Sequence, residues 1–217
     1  VPTDAPVKIS RLRIRNLSGR TRHLTLTAYV EWVLGTSRST TAPFVATEID
    51  PVTGAMFARN LWSGADVGVA FTDLGGRQTS WTGNRMDFIG RNGTLERPAA
   101  LAKGAMLSGR TGAGLDPCGV LQASVALPAD SSMEVVWLLG EAATTLDAQT
   151  VIERWRHADL DVALQSVHEN WNEVLDTVTV QTPDRAFDLM LNGWLLYQVL
   201  ACRLWARSAF YQASGAY

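Results

Sequence analysis

Cysteine is nearly absent from this chain, with Cys118 and Cys202 alone among 217 residues. Two thiols in segments of different kind argue against a disulfide scaffold and point to a reducing compartment. No apolar run approaches the roughly 20 residues needed to span a bilayer. The N-terminus starts at Val1 with no initiator Met, signal pattern or targeting arm. An excess of one charge is missing as well. The 19 basic and 21 acidic residues are well mixed, with net charge −2 and pI about 5.9. That excludes the footprint of a nucleic-acid binder or a polybasic membrane anchor. Histidine is scarce: His23, His157 and His168 form no metal-like pair, and neither a resident metal nor a His-based triad is expected. The glycine run Ser108–Gly114 lacks the preceding strand and following helix of a nucleotide loop, because Asp116-Pro117 and then a strand follow it. It reads as a surface loop.

Tryptophan, by contrast, is plentiful at eight residues, which large cores or sugar-stacking platforms would account for. The first two-thirds of the chain carries strand signals. Residues 7–16 and 22–34 are two strands joined by Leu17-Ser18-Gly19-Arg20. In the second, Leu24, Leu26, Ala28, Val30, Trp32 and Leu34 face one way and Thr25, Thr27, Tyr29 and Glu31 the other. Phe44–Ile49 and Ala55–Asn60 flank an Asp50–Gly54 hairpin turn, Val67–Phe71 alternates again, and shorter strands are predicted at 80–82 and 86–89. The stretch 90–119 is loop-rich, with seven glycines and two prolines. Strands at 120–127 and 133–139 close the region. Many short strands with Gly/Pro turns and no intervening helix predict an antiparallel β-sandwich. Near Thr144 the period changes to 3.6, predicting a capped helix at 145–155 and a second at 159–175, read as a surface or linker pair.

The last segment differs from these. Thr182-Pro183-Asp184 is a helix start, and apolar residues at 187, 190, 191, 194, 197, 201, 204 and 205 have helical spacing. Leu196, Val199, Leu200 and Phe210 leave the opposite side apolar too, so this helix is expected inside a larger helical assembly. After Asp188 its charges are Arg203 and Arg207, four apart and on one face, with no acid following to pair them. A buried guanidinium without a counter-charge costs several kcal/mol. The partner is a distant carboxylate, chain beyond residue 217, or a bound ligand. Residue 217 reads as a cut through a longer protein. Cys202, inside the helix, reads as a small core residue. Carboxylates near strand ends (Glu48, Asp50, Asp66, Asp73, Asp87) include no acid/base pair that spacing singles out.

The run Asn192–Tyr217, NGWLLYQVLACRLWARSAFYQASGAY, resembles a signature of the inverting disaccharide phosphorylases, the cellobiose and chitobiose phosphorylase family. It is most similar to the version in cyclic β-1,2-glucan synthases and 1,2-β-oligoglucan phosphorylases. Asn16-Leu17-Ser18, Tyr29–Gly35, Phe88–Gly93 and Asp116-Pro117-Cys118 support it along the chain. The resemblance implies a mainly β fold: a supersandwich at 1–143, a helical linker at 144–181 and, at 182–217, the first helix of a truncated (α/α)6 catalytic barrel. It implies phosphorolysis or glycosyl transfer on β-1,2-glucan with inversion, inorganic phosphate as co-substrate and no further cofactor, giving α-glucose 1-phosphate. Arg207 is the implied sugar-binding residue, with Tyr211 and Gln212 as further candidates. The general acid and the Phe-Arg-Asp run that grips the sugar are expected beyond residue 217, so no catalytic residue is assigned and the piece alone is expected to be inactive. The short Gln212–Tyr217 segment, where cellobiose-type members have a longer loop with an extra Arg, favours the β-1,2-glucan branch. The implied partners are a β-glucan or oligosaccharide, the remainder of the parent chain and a second copy, into whose active site the loop at 88–97 would reach. The implied location is cytoplasmic, or the cytoplasmic side of the inner membrane for a cyclic glucan synthase. The alternative is a non-catalytic carbohydrate-binding or structural sandwich.

Overall fold

A computed structural model describes residues 1–62, 68–102 and 105–201. In chain order its elements are β1 (Val7–Arg15), β2 (Arg22–Glu31), a one-turn α1 (Arg38–Thr41) and β3 (Val45–Ile49). Next come β4 (Met56–Asn60), β5 (Val69–Asp73), β6 (Ser80–Asn84) and the short α2 (Arg85–Ile89). The long strands β7 (Pro117–Leu127) and β8 (Ser132–Ala142) precede the helices α3 (Thr145–His157), α4 (Leu160–Leu175), α5 (Arg185–Leu189) and α6 (Leu195–Gln198). Residues Val1–Asp159 form one compact unit, and a second begins at Leu160.

The first unit is an antiparallel sandwich. Among the described residues, one sheet has five strands in the order β1-β8-β5-β4-β3 and the other has three in the order β2-β7-β6. Consecutive strands β1 and β2 do not pair with each other. Their short connection carries the chain from one sheet to the other, and Asn16 makes that corner. Buried at its start, Asn16 donates from Nδ2 to the carbonyls of Arg20, Leu127 and Pro128 and accepts from Ser18 N and Oγ through Oδ1.

Period-two alternation then sorts side chains into layers. Ala28, Leu121 and Ala123 of the three-stranded sheet meet Met56, Val135 and Leu74 between the sheets. Trp32 joins Val45, Ala58 and Ala70 in an adjoining cluster. Tyr29, Cys118 and Val120, pointing the other way, are covered by Phe88 and Ile89 of α2 and by Ala100 and Leu107. The residues at 86–89, predicted as strand, therefore form a helix. Asn84 accepts a hydrogen bond from Met86 N at its start, Gly90 ends it at φ 90°, and its apolar residues cap the sheet.

Phe57 and Phe71 sit opposite each other in register, wholly buried, on the outer face of the larger sheet. There α3 packs on β5 and β8. Its Ala148, Ile152 and Trp155, at positions i, i+4 and i+7, are buried, so this helix is built into the sandwich and is not a surface helix. Thr144 caps it by accepting from Asp147 N, and Arg154, Arg156 and His157 occupy its negative end.

In the second unit, α4 carries no buried residue, and Trp171 meets Tyr197 of α6 at 5.4 Å between ring centroids. The start of α5 is capped by Asp184, which accepts from Ala186 N, while Thr182 donates from N and Oγ1 to Asp188. Pro183 thus precedes the cap and does not open the helix. A π-helical stretch, Met190–Trp194, joins α5 to α6 around Asn192-Gly193. The helix expected here is present over its described part. Its apolar residues Phe187, Leu189, Met190, Trp194, Leu195, Tyr197 and Val199 are exposed. No described helix is long and apolar enough to cross a membrane.

Candidate functional site

Two neighbouring strands bring an acid to one end of the smaller sheet. Glu31 ends β2 and is paired in register with Cys118 of β7, and Asp116 lies just before β7. Two arginines bridge both acids. Arg38 of α1 reaches Glu31 at 3.3 Å and also Asp116. Arg85, the first residue of α2, reaches Glu31 at 2.8 Å and Asp116 at 3.7 Å. Tyr29 completes the ring by donating its hydroxyl to Glu31 at 2.5 Å. All four charged side chains are half-buried, where an ion pair is screened less than on the open surface.

This ring is a clamp. Its charges balance, and bonds to backbone carbonyls reinforce it: Arg85 N donates to Asp116 O at 2.8 Å and the Arg38 guanidinium donates to Pro117 O at 3.1 Å. What it holds is α2, the base of the loop at 88–97. Tyr29 stacks on Phe88 at 5.0 Å beneath that base. A side chain on Gly93 would put its Cβ 1.9 Å from the carbonyl oxygen of Ile89, and Gly90 occupies a left-handed conformation, so both glycines of Gly90-Arg-Asn-Gly93 are needed for the turn. Residues 91–97 are all exposed. The result is a polar tip on a stiff foot, suited to contacting a hydroxyl-rich ligand or another surface.

The ring responds to acid in a defined direction. Burial pushes Glu31 up, but the hydrogen bonds from Tyr29 and Arg85 and the charges of Arg38 and Arg85 outweigh it, leaving its carboxyl below the usual range. Asp50, in the β3–β4 turn, is likewise raised by burial and lowered further by Thr53 and Gln149, with a net fall. A carboxyl held low in the folded state favours folding above its unfolded pKa and loses that contribution as pH falls through the folded value. Stability is therefore expected to decline as pH drops below about 4. Glu31→Gln should flatten that decline. Urea midpoints from neutral pH downward check it, and an unchanged slope in the variant would remove the ring from the acid response. Burial first, then the charge of Asp116, pushes the Cys118 thiol up to about 12, so it is no nucleophile.

The structure brings together three of the stretches on which the family resemblance rests, Tyr29–Gly35, Phe88–Gly93 and Asp116–Cys118, while Asn16–Ser18 lies at the other end of β7 against Leu127 and Pro128. Arg207, Tyr211 and Gln212, with Arg203 and Cys202, lie outside the described residues. The head of the C-terminal run is described. Asn192 accepts from Val180 N and donates to Val180 O, both at 2.8 Å, using its amide as a strand would to hold the extended segment before the helix. Sequence reasoning missed Arg38 and Arg85. The available signal was a pair of acids at adjacent strand ends, which demands basic partners once β2 and β7 are neighbours.

Comparison with known proteins agrees with this layout. The glycosyl hydrolase 94 supersandwich domain matches residues 1–158, and the glycosyl hydrolase 94 superfamily catalytic domain matches residues 170–217. The chain is 41% identical over 213 residues to cyclic beta-(1,2)-glucan synthase NdvB of Rhizobium meliloti (strain 1021), covering 98% of this chain and 8% of that protein. It is 26% identical over 131 residues to the N,N'-diacetylchitobiose phosphorylase of Vibrio proteolyticus and 27% over 133 to that of Vibrio furnissii. Each of those alignments covers 60% of this chain and 16% of the relative. The chain thus spans a small part of the relatives it matches. With a supersandwich match over the whole described sandwich and a catalytic-domain match over its last helices, the chain belongs to the glycosyl hydrolase 94 family.

Proposed function

We propose that the chain is the sandwich, linker and first barrel helix of a longer enzyme that processes β-1,2-glucan with inversion. Inorganic phosphate attacks the anomeric carbon from the face opposite the departing sugar. An acid on the other side protonates the leaving oxygen, and α-glucose 1-phosphate is released. The observation that carries the linkage is the 41% identity, over nearly the whole chain, to a cyclic β-1,2-glucan synthase, against 26–27% over three-fifths of it to chitobiose phosphorylases.

Within this reading each part has a task. The sandwich with α3 (1–159) and the segment from 160 to 181 lead into the barrel that begins at 182, and the rest of that barrel covers the exposed apolar side chains of α5 and α6. Arg207 donates to sugar hydroxyls, with Tyr211 and Gln212 beside it, while the acid comes from the rest of the polypeptide. The loop at 88–97 reaches a neighbouring active site in a homodimer, its foot held by the Glu31 ring. The protein works in the cytoplasm or at the cytoplasmic face of the inner membrane.

The test is release of glucose 1-phosphate from linear β-1,2-glucan and phosphate. The longer polypeptide should release it and the 217 residues alone should not. Arg207→Ala in the longer form should lower kcat/KM by about ten- to a hundredfold, the effect of one charged hydrogen bond. Turnover by the isolated chain, or an Arg207→Ala enzyme of full activity, would refute the assignment.

A further inference from the structure

Most of the described tryptophans are at least partly buried in this chain; Trp62 is not. It is 76% exposed, two residues past β4, and its ring lies 5.0 Å from that of Phe44, tilted by 32°. Leu61 beside them is also exposed. The base under the pair is fixed. Leu61 N donates to Phe44 O at 2.9 Å, and Trp62 N donates to Asn60 Oδ1 at 3.0 Å. Asn60 itself is buried and donates from Nδ2 to Leu34 O at 2.9 Å. One buried amide thus orients the backbone of an exposed indole. In sequence, Phe44 is preceded by Ser37, Ser39 and Thr40, with the Ser37 hydroxyl bonded to those of Ser39 and Thr40.

The chemistry of this surface selects its occupant. The two rings and Leu61 carry no charge, and the charged residue before them, Arg59, is paired with Glu48 at 2.6 Å. Among the described residues beside these rings, nothing attracts a phosphate or an acidic surface. Three side chains offer at most a few hundred Å², well under the roughly 800 Å² per partner of a stable protein interface. A pyranose ring fits both limits. Its C–H face is apolar and flat enough to lie on an indole, and its rim of hydroxyls stays hydrated while that face stacks.

We propose that Phe44 and Trp62 form a glucan-binding platform on the sandwich, separate from the barrel site and stacking one or two pyranose units of a chain. That the chain is β-1,2-linked rests on the reading above; the stacking itself does not. A platform of this kind would hold a long polymer near the enzyme while its end is processed, raising the local concentration of chain ends.

The experiment is affinity electrophoresis and calorimetric titration of the full chain with linear β-1,2-glucan and, in a second arm, cello-oligosaccharides. Trp62→Ala should weaken binding by about tenfold, the loss of one aromatic stacking contact. Trp62→Tyr should stay within about threefold, because it keeps an aromatic face. Leu17→Ala, an equally exposed apolar deletion elsewhere on the surface, should change nothing. Thermal melts matched to wild type show that Trp62→Ala remains folded. Trp62-dependent binding confined to the cello-oligosaccharides would uphold the platform and sink the β-1,2 linkage. Binding to neither glucan, or binding that Trp62→Ala leaves intact, would overturn the platform while leaving phosphorolysis by the longer enzyme untouched.

Discussion

Arg156→Met should lower the stability of the sandwich by about 3–5 kcal/mol, the cost of leaving a buried charge without its partner. Asp73, at the end of β5, is wholly inaccessible, and its carboxylate receives the Arg156 guanidinium at 2.6 and 3.0 Å. Gln78 donates to it at 2.9 Å and Gly76 N at 3.3 Å, but neither carries charge. The same guanidinium donates to Thr53 O at 2.7 Å, so one side chain joins α3, the end of β5 and the β3–β4 turn. Asp50 in that turn receives Gln149 of α3 at 2.8 Å, a second tie between the same parts. Asp73→Asn combined with Arg156→Met should recover a large share of the loss, because the neutral amide needs no counter-charge. Urea denaturation of the two variants beside wild type measures this. A loss under about 1 kcal/mol for Arg156→Met would place the pair among surface ion pairs of little consequence.

The sandwich was legible because its signals are local. Alternation in β2 assigned Ala28 and Tyr29 to opposite faces, and the structure buries one between the sheets and covers the other with α2. The turn at Asp50–Gly54 was equally readable, since Thr53 bonds back to Asp50 and Gly54 takes φ 71°. The misreadings lie where four or five residues decide. Met86–Ile89 looks like strand by composition, and only the Asn84 cap and the cover it supplies to Val120 make it a helix. α3 looked like a linker because three apolar positions suffice to bury it when it packs on β5 and β8. The charge ring was readable only once β2 and β7, strands far apart in sequence, were known to be neighbours. Its acids sit in stretches that carry the family resemblance, as does Asn16. At these positions the residues hold corners and clamps. The sugar-binding candidates Arg207, Tyr211 and Gln212 belong to the other end of the chain, where Asn192 opens the described part of the signature and its work is again to fix backbone.

Gly119→Val should cost about 3 kcal/mol, the upper end of what overpacking a well-filled core takes. Gly119 faces Val30 across the β2–β7 ladder, in a strand buried on both faces. A Cβ there would lie 2.9 Å from Trp32 Cζ2, 2.9 Å from Val30 Cγ1 and 3.0 Å from Thr72 Cγ2. Trp32 and Thr72 are themselves buried, and Thr72 belongs to the opposite sheet and holds the indole of Trp137 at 2.6 Å. Trp32 and Thr72 have no open direction in which to retreat, so the added isopropyl group forces the sheets apart or Trp32 out of its well. Gly119→Ala, with one methyl to accommodate, should cost about 1–2 kcal/mol. Trp32→Phe removes the part of the indole that reaches toward Gly119. Combined with Gly119→Val, it should therefore recover part of the loss and not add to it, and that coupling is what a double-mutant cycle reads. Chemical denaturation of the four proteins decides it. Full additivity of the two substitutions, or a Gly119→Val protein within about 0.5 kcal/mol of wild type, would show that the sheets approach each other less closely at Gly119 than these distances require.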